Sequence, residues 1–220
     1  MDGSATARTS PAGTEPVFLA IEGIDDSGKT TLTAALADVL RGLGLEVATH
    51  KEPSDGPIGV VFRRLSAAGG IPPMAMALLS AADRHERQEA LAQYRRDCEV
   101  ILADRYYLSG LAYHAADGIN AVEYQGLNRG VRKPTAYLYL DIDPILAAAR
   151  GSGVSDDYWE QHDIAARLPD AYERGLALIA ETEAAQVIRI DASQSPQRVL
   201  ESALTATLAL IPRAPEGNGG

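Results

Sequence analysis

The sequence predicts an α/β fold, a five-stranded parallel sheet with helices on both faces. Three observations predict it. Short apolar runs alternate along the whole chain with longer segments of helical period. The first run, Val17–Ile21, has no polar alternation, as a central strand covered on both faces requires. A glycine-containing turn, Gly23 to Gly28, joins that run directly to the first helical segment.

The elements follow in order. Ser27–Leu43 carries Leu32, Leu36, Val39, Leu40 and Leu43 at helical spacing and is ended by Gly42 and Gly44. Leu45–His50 is the second strand, followed by Lys51, Glu52 and Pro53 and the loop 54–57. A helix over 58–68 turns Phe62 inward and Arg63 or Arg64 outward. Gly69 to Pro73 breaks the chain, and one long helix is expected over 72–98, because Pro73 suits a first turn. Val100–Ala103 is the third strand, with Asp104, Arg105 and Tyr106 at its end. Helices cover 108–116 and 121–128, and Thr135–Leu140 is the fourth strand. Asp143 caps a short helix to Arg150, and the polar stretch 151–161 forms a lid. Helix 164–184, strand 187–190 and helix 196–210 complete the sheet.

Composition bounds the function. With 220 residues and 46% hydrophobic content, the chain makes one cored domain, expected over 17–211 with flexible tails at 1–16 and 212–220. A net charge of −10 argues against nucleic-acid affinity, which needs a basic face. No run approaches the roughly 18 apolar residues of a membrane span. The single cysteine, Cys98, forms no internal disulfide, and no Cys/His spacing around His50, His85 or His162 suggests zinc. A cytoplasmic location is expected.

The turn between the first strand and the first helix carries chemistry. Gly23, Gly28, Lys29 and Thr30 fit G-x-x-x-x-G-K-[ST] between a strand and a helix. Such a loop wraps backbone N–H groups around phosphates and adds the positive end of the helix. Residues 23 and 26–31, that is Gly23, Asp26, Ser27, Gly28, Lys29, Thr30 and Thr31, form the expected nucleotide-binding set. Lys29 reaches the outer phosphates, and the Thr30 hydroxyl ligates Mg²⁺.

Four stretches in order give the chain a family resemblance. They are the phosphate loop with Asp25 inside it, Glu52-Pro53, Asp83-Arg84, and Asp104-Arg105-Tyr106 with Ser109, Ala112 and Tyr113 beyond. The chain resembles the thymidylate kinases, P-loop kinases that move the γ-phosphoryl group of ATP onto dTMP. The resemblance implies the P-loop kinase fold, ATP and Mg²⁺, a nucleoside-monophosphate acceptor and a homodimer. It implies that Lys29, Asp25 and Arg105 carry catalysis and that Thr30 and Asp104 serve the metal. Arg63 and Arg105 would hold the acceptor phosphate, with planar guanidinium groups suited to that geometry. Arg84 would meet the base edge, and Asp25 and Glu52 the sugar region. Tyr113 would disfavour a ribose 2′-OH, and Ser80, Ser109 and His114 would border the acceptor.

Several residues depart from the family pattern. Ser80 stands where the family usually has a Phe that stacks on thymine, a contact worth about 1–3 kcal/mol. His114 stands for the usual Gln, and Lys51 for the arginine before Glu-Pro. The phosphate loop has Asp26 where many members carry an arginine. The lid holds Asp156, Asp157 and Glu160, with only Arg150 and Arg167 at its margins. Two alternatives to dTMP phosphorylation therefore stay open: a kinase for a different or modified nucleotide, and a nucleotide-binding protein with weak catalysis.

Overall fold

The computed structural model describes residues 15–151 and 164–212. The expected tails are described only at Glu15, Pro16 and Pro212, and most of the expected lid, with His162, lies outside the described residues.

Strands β1 (Val17–Glu22), β2 (Val47–Lys51), β3 (Val100–Asp104), β4 (Ala136–Asp141) and β5 (Gln186–Asp191) form one parallel sheet in the order β2-β3-β1-β4-β5. Every residue of β1 is buried, because β3 and β4 flank it and helices cover both faces. The register brings three strand ends level. Ile21 of β1 lies beside Asp104 of β3, and Asp104 beside Lys51 of β2. The strand order reverses around β1, so this edge is where an open parallel sheet leaves a crevice for ligands.

Helix α1 (Lys29–Gly42) follows the glycine-containing loop, and α2 (Pro57–Ala68) follows β2 with Phe62 buried, as its spacing predicts. The single helix expected over 72–98 is two, α3 (Pro73–Glu86) and α4 (Gln88–Asp97), separated at Arg87. The Gln88 side chain donates to the Arg84 carbonyl at 2.9 Å, the acceptor a continuing helix would offer to the Gln88 amide. Apolar periodicity does not register a one-residue interruption of this kind.

Next come α5 (Tyr107–Ala116) and α6 (Ala121–Leu127). Helix α7 (Pro144–Ala148) is capped by Asp143, which accepts from the Ile145 amide at 2.7 Å, and stops short of Arg150. The expected helix over 164–184 is a 3₁₀ turn (Ala165–Arg167) leading into α8 (Leu168–Thr182). The last helix, α9 (Pro196–Leu210), matches its sequence bounds.

With two phenylalanines in the chain, tyrosines supply much of the aromatic core. Tyr106, Tyr107, Tyr124, Tyr137 and Tyr172 are fully buried. Tyr106 keeps its hydroxyl satisfied inside by donating to the Arg132 carbonyl at 2.8 Å. Among the described residues no helix is long and apolar enough to cross a membrane.

Candidate active site

The phosphate loop is built by backbone that few side chains accept. Gly28 has φ +95° and Asp26 φ +58°. Gly23, at φ +148°, leaves no room for a side chain, since a Cβ there would sit 2.9 Å from the Leu140 carbonyl and the Ser27 hydroxyl. Lys29 folds back into its own loop and donates to the Ile24 carbonyl at 2.5 Å. Burial pushes its ammonium down to about 7, with Arg105 adding to the effect and Asp25, Asp104 and Glu22 opposing it. Thr30 donates to Asp104 at 2.6 Å. Two hard oxygen donors thus stand side by side at the start of α1, a set that suits Mg²⁺, which needs only one or two protein oxygens beside phosphate and water.

The end of β3 turns sharply into α5. Arg105 has φ +65°, a strained conformation for a non-glycine residue. It is ion-paired with Asp25 and donates to the Gly23 carbonyl and the Ser109 hydroxyl, each at 3.2 Å. Its guanidinium lies 5.2 Å from the Tyr113 ring centroid. Tyr113 donates its hydroxyl to the other oxygen of Asp25 at 2.6 Å. Burial pushes the Asp25 carboxyl up, yet Arg105, Lys29 and Tyr113 outweigh it and hold the group below its ordinary value. One arginine therefore touches the phosphate loop and, through Asp25, the tyrosine on α5.

Beside it opens a cleft of about 140 Å³ lined by Asp25, Glu52, Ser80, Arg84, Arg105, Ser109, Tyr113 and His114, with Phe62 on the α2 side. Arg84 closes one end, 2% exposed, and pairs with Glu52 through both Nε and Nη2. Nη2 also reaches the Tyr106 carbonyl at 3.3 Å, while Nη1 donates to Asn128 at 2.5 Å and to Tyr124 at 3.1 Å. All five N–H donors of Arg84 are thus engaged with the protein. Glu52 is buried, and Arg84 and His50 hold its carboxyl below the ordinary range despite that burial. Burial pushes His114 down to about 3, so it is neutral at physiological pH.

Eight of the nine expected acceptor residues thus line one cleft next to the phosphate loop. Arg63 does not. It turns onto the loop after β2, donating to the Pro53 and Ser54 carbonyls at 2.7 Å each and to Asp55 at 3.0 Å. Of the two arginines at the lid margins, Arg150 donates to the Ala192 and Ser193 carbonyls after β5, at 2.7 and 3.2 Å.

Comparison with known proteins agrees with this geometry. The thymidylate kinase family model matches residues 21–203. The chain belongs to the thymidylate kinase family. It is 32% identical over 217 residues to the thymidylate kinase of Xanthomonas oryzae pv. oryzae (strain PXO99A), covering 97% of this chain and 91% of the relative. It is 33% identical over 199 residues to that of Xylella fastidiosa (strain 9a5c), covering 89% and 92%. Membership makes the chain a phosphotransferase of the nucleoside-monophosphate kinase class.

Against the thymidylate kinase frame, two buried groups, Glu22 and Tyr172, escaped sequence reasoning, and a third, Asp83, was visible only as part of the Asp83-Arg84 pair. Glu22, unexposed at the end of β1, accepts from the Tyr106 and Ser109 amides at 3.0 and 3.2 Å and from the Ser109 hydroxyl at 2.5 Å. Tyr172 on α8 donates to the Gly23 carbonyl at 2.8 Å and lies 3.0 Å from the Ser109 hydroxyl. Asp83 accepts the Ser54 amide and hydroxyl at 2.7 and 2.5 Å and so fixes the loop after β2. Of the two missed groups, Glu22 left a usable signal, as the one charge directly following the apolar residues of β1.

Proposed function

We propose that the protein transfers the γ-phosphoryl group of ATP to dTMP, giving ADP and dTDP. The observation that carries this is the placement of Arg105. It bonds the phosphate loop at Gly23 and pairs with Asp25 at the mouth of the acceptor cleft. Two polyanionic substrates meeting head to head need cations between them, and the work of such a site is positioning and charge neutralisation.

Lys29 leaves the Ile24 carbonyl to take the outer donor phosphates, helped by the loop amides of residues 23–31 and the N-terminus of α1. Thr30 and Asp104 hold Mg²⁺, which when bound neutralises the donor phosphates. Arg105 orients the acceptor phosphate, and Arg63 joins it by turning from the loop after β2. Asp25 keeps Arg105 in place and meets the acceptor sugar, and Tyr113 closes the space where a 2′-hydroxyl would stand. Glu52 and Arg84, locked to each other, shape the base end.

The protein works as a homodimer in the cytoplasm in this reading. Helices α2 and α3 pack on one another and expose Val60, Val61, Met74 and Leu78, an apolar surface of the kind that self-association covers. The test is ADP and dTDP formation from Mg-ATP and dTMP. Equimolar products are expected, and Lys29→Ala should lose at least about a hundredfold in kcat/KM. A folded protein that binds ATP yet makes no ADP with dTMP would refute the reading.

A further inference from the structure

The base end of the cleft contains a hydrogen-bond chain whose direction follows from donor and acceptor inventory. Tyr124, on α6, is 1% exposed and does not itself line the cleft. Its hydroxyl rests over Gly110, where a Cβ would come 2.6 Å from the Tyr124 Cζ, so only glycine admits it. Arg84 Nη1 donates to this hydroxyl at 3.1 Å, and Ser80 Oγ lies 2.7 Å away. A guanidinium has no acceptor. A buried phenol proton needs one, and among the described residues the partner left to receive it is Ser80 Oγ. The chain therefore runs from Arg84 to Tyr124 to Ser80. Ser80 makes no other hydrogen bond among the described residues, and it lines the cleft. Its own proton is free to point into the space where a base would sit. A cationic origin polarises each link, which strengthens the last donor.

We propose that Ser80 reads the acceptor base by donating to a ring carbonyl oxygen, with Tyr124 as the positioning residue that fixes the direction of the Ser80 proton. The complement of a fixed donor is a keto oxygen, and an exocyclic amino group meets it donor to donor. The site accordingly selects 4-oxo pyrimidine monophosphates over 4-amino ones. Ser80 thereby supplies by hydrogen bonding a discrimination that an aromatic face at this position would not, since stacking tolerates every base. This inference rests on the cleft being the acceptor site.

The experiment compares kcat/KM for dTMP, dUMP and dCMP in the full-length protein and in Tyr124→Phe, Ser80→Ala and Ser80→Thr, with thermal midpoints recorded for each. The wild-type protein should prefer dTMP and dUMP over dCMP. In Ser80→Ala the preference should fall about tenfold, the loss of one hydrogen bond with a charged origin. In Tyr124→Phe the Ser80 hydroxyl can turn to accept as well as donate, so the preference should fall similarly while the KM for ATP stays within twofold. Ser80→Thr, which keeps a hydroxyl, should retain it. A ratio between acceptors is unaffected by the fraction of folded enzyme, so a packing role for either residue would leave it unchanged. Unchanged ratios in both Ser80→Ala and Tyr124→Phe overturn this inference alone. Absence of turnover on every monophosphate by the wild-type protein overturns the kinase reading and this inference with it.

Discussion

At the scale of single residues, Glu22 shows how a charge in the wrong place for stability can be in the right place for a site. Burial pushes its carboxyl above the ordinary value, and the bonds from Ser109 and Tyr106 and the nearby Arg105 only partly offset that. A carboxyl whose folded value is raised above 4.5 is carried most easily at acid pH, and its contribution to stability declines as pH rises from there through the folded value. What it does in return is hold the first turn of α5 directly behind the strained Arg105. Glu22→Gln keeps the shape and an oxygen for both amides, so it should melt higher than the parent at pH 7, with the difference vanishing below about pH 4. Its kcat/KM for the acceptor should drop about tenfold as the charge-assisted bond from Ser109 weakens. Thermal melts across pH, paired with steady-state kinetics, check both arms, and a variant less stable than the parent at neutral pH would contradict the burial argument. Residues of this kind are poorly legible in a sequence. Lys29 and Thr30 announce themselves by spacing, whereas the role of Glu22 depends on which helix happens to start beside it. The chain's Arg84 was visible as a candidate, but that its donors are all engaged by Glu52, Tyr106, Tyr124 and Asn128 follows from packing across α3, α5 and α6.

At the scale of elements, alternating apolar runs and helical periods were enough to place all five strands, most plainly β1 and β3, which the sheet buries throughout. The joints were less visible. Gln88 splits the helix expected over 72–98 with one side-chain bond, and Arg105 enters α5 through a left-handed turn that no spacing encodes. Close approach between elements was equally hidden, and Gly59 is the sharpest case. A Cβ on this residue of α2 would stand 2.6 Å from the Ser54 amide nitrogen and 2.8 Å from the Ser54 carbonyl carbon. Ser54 cannot give way easily, since Asp83 on α3 holds it at two points. Gly59→Ala should therefore destabilise the fold by about 1–3 kcal/mol through overpacking. It should also raise the acceptor KM more than the ATP KM, because the loop it displaces carries Glu52 to Arg84. Chemical denaturation and separate substrate titrations decide it, and parental stability would show that the loop is more compliant than its bonds imply.

At the scale of the whole molecule, the sheet brings the phosphate loop and the cleft to one edge and leaves the flank formed by α2 and α3 free for another task. Val60 and Leu78 are each 50% exposed there, and Val61 and Met74 are next to them in sequence or fold. A chain with net charge −10 repels its own copies at long range, so association needs a local apolar surface free of that repulsion. The α2–α3 flank meets that need, with alternate apolar positions of two mutually packed helices turned outward. It also lies directly behind the cleft: Phe62 of α2 and Ser80 and Arg84 of α3 line the cleft from the same two helices. Pairing through this flank would stiffen the wall that carries Ser80 and Arg84, so oligomeric state and acceptor affinity should move together. Leu78→Glu adds a charge to an exposed helical position and removes no buried contact, so the fold should survive it. Light scattering should then report the parental protein as a dimer and the variant as a monomer, with a raised acceptor KM and an ATP KM within twofold. A variant that stays dimeric places the self-association surface elsewhere, and a monomeric variant with parental acceptor kinetics separates assembly from the cleft.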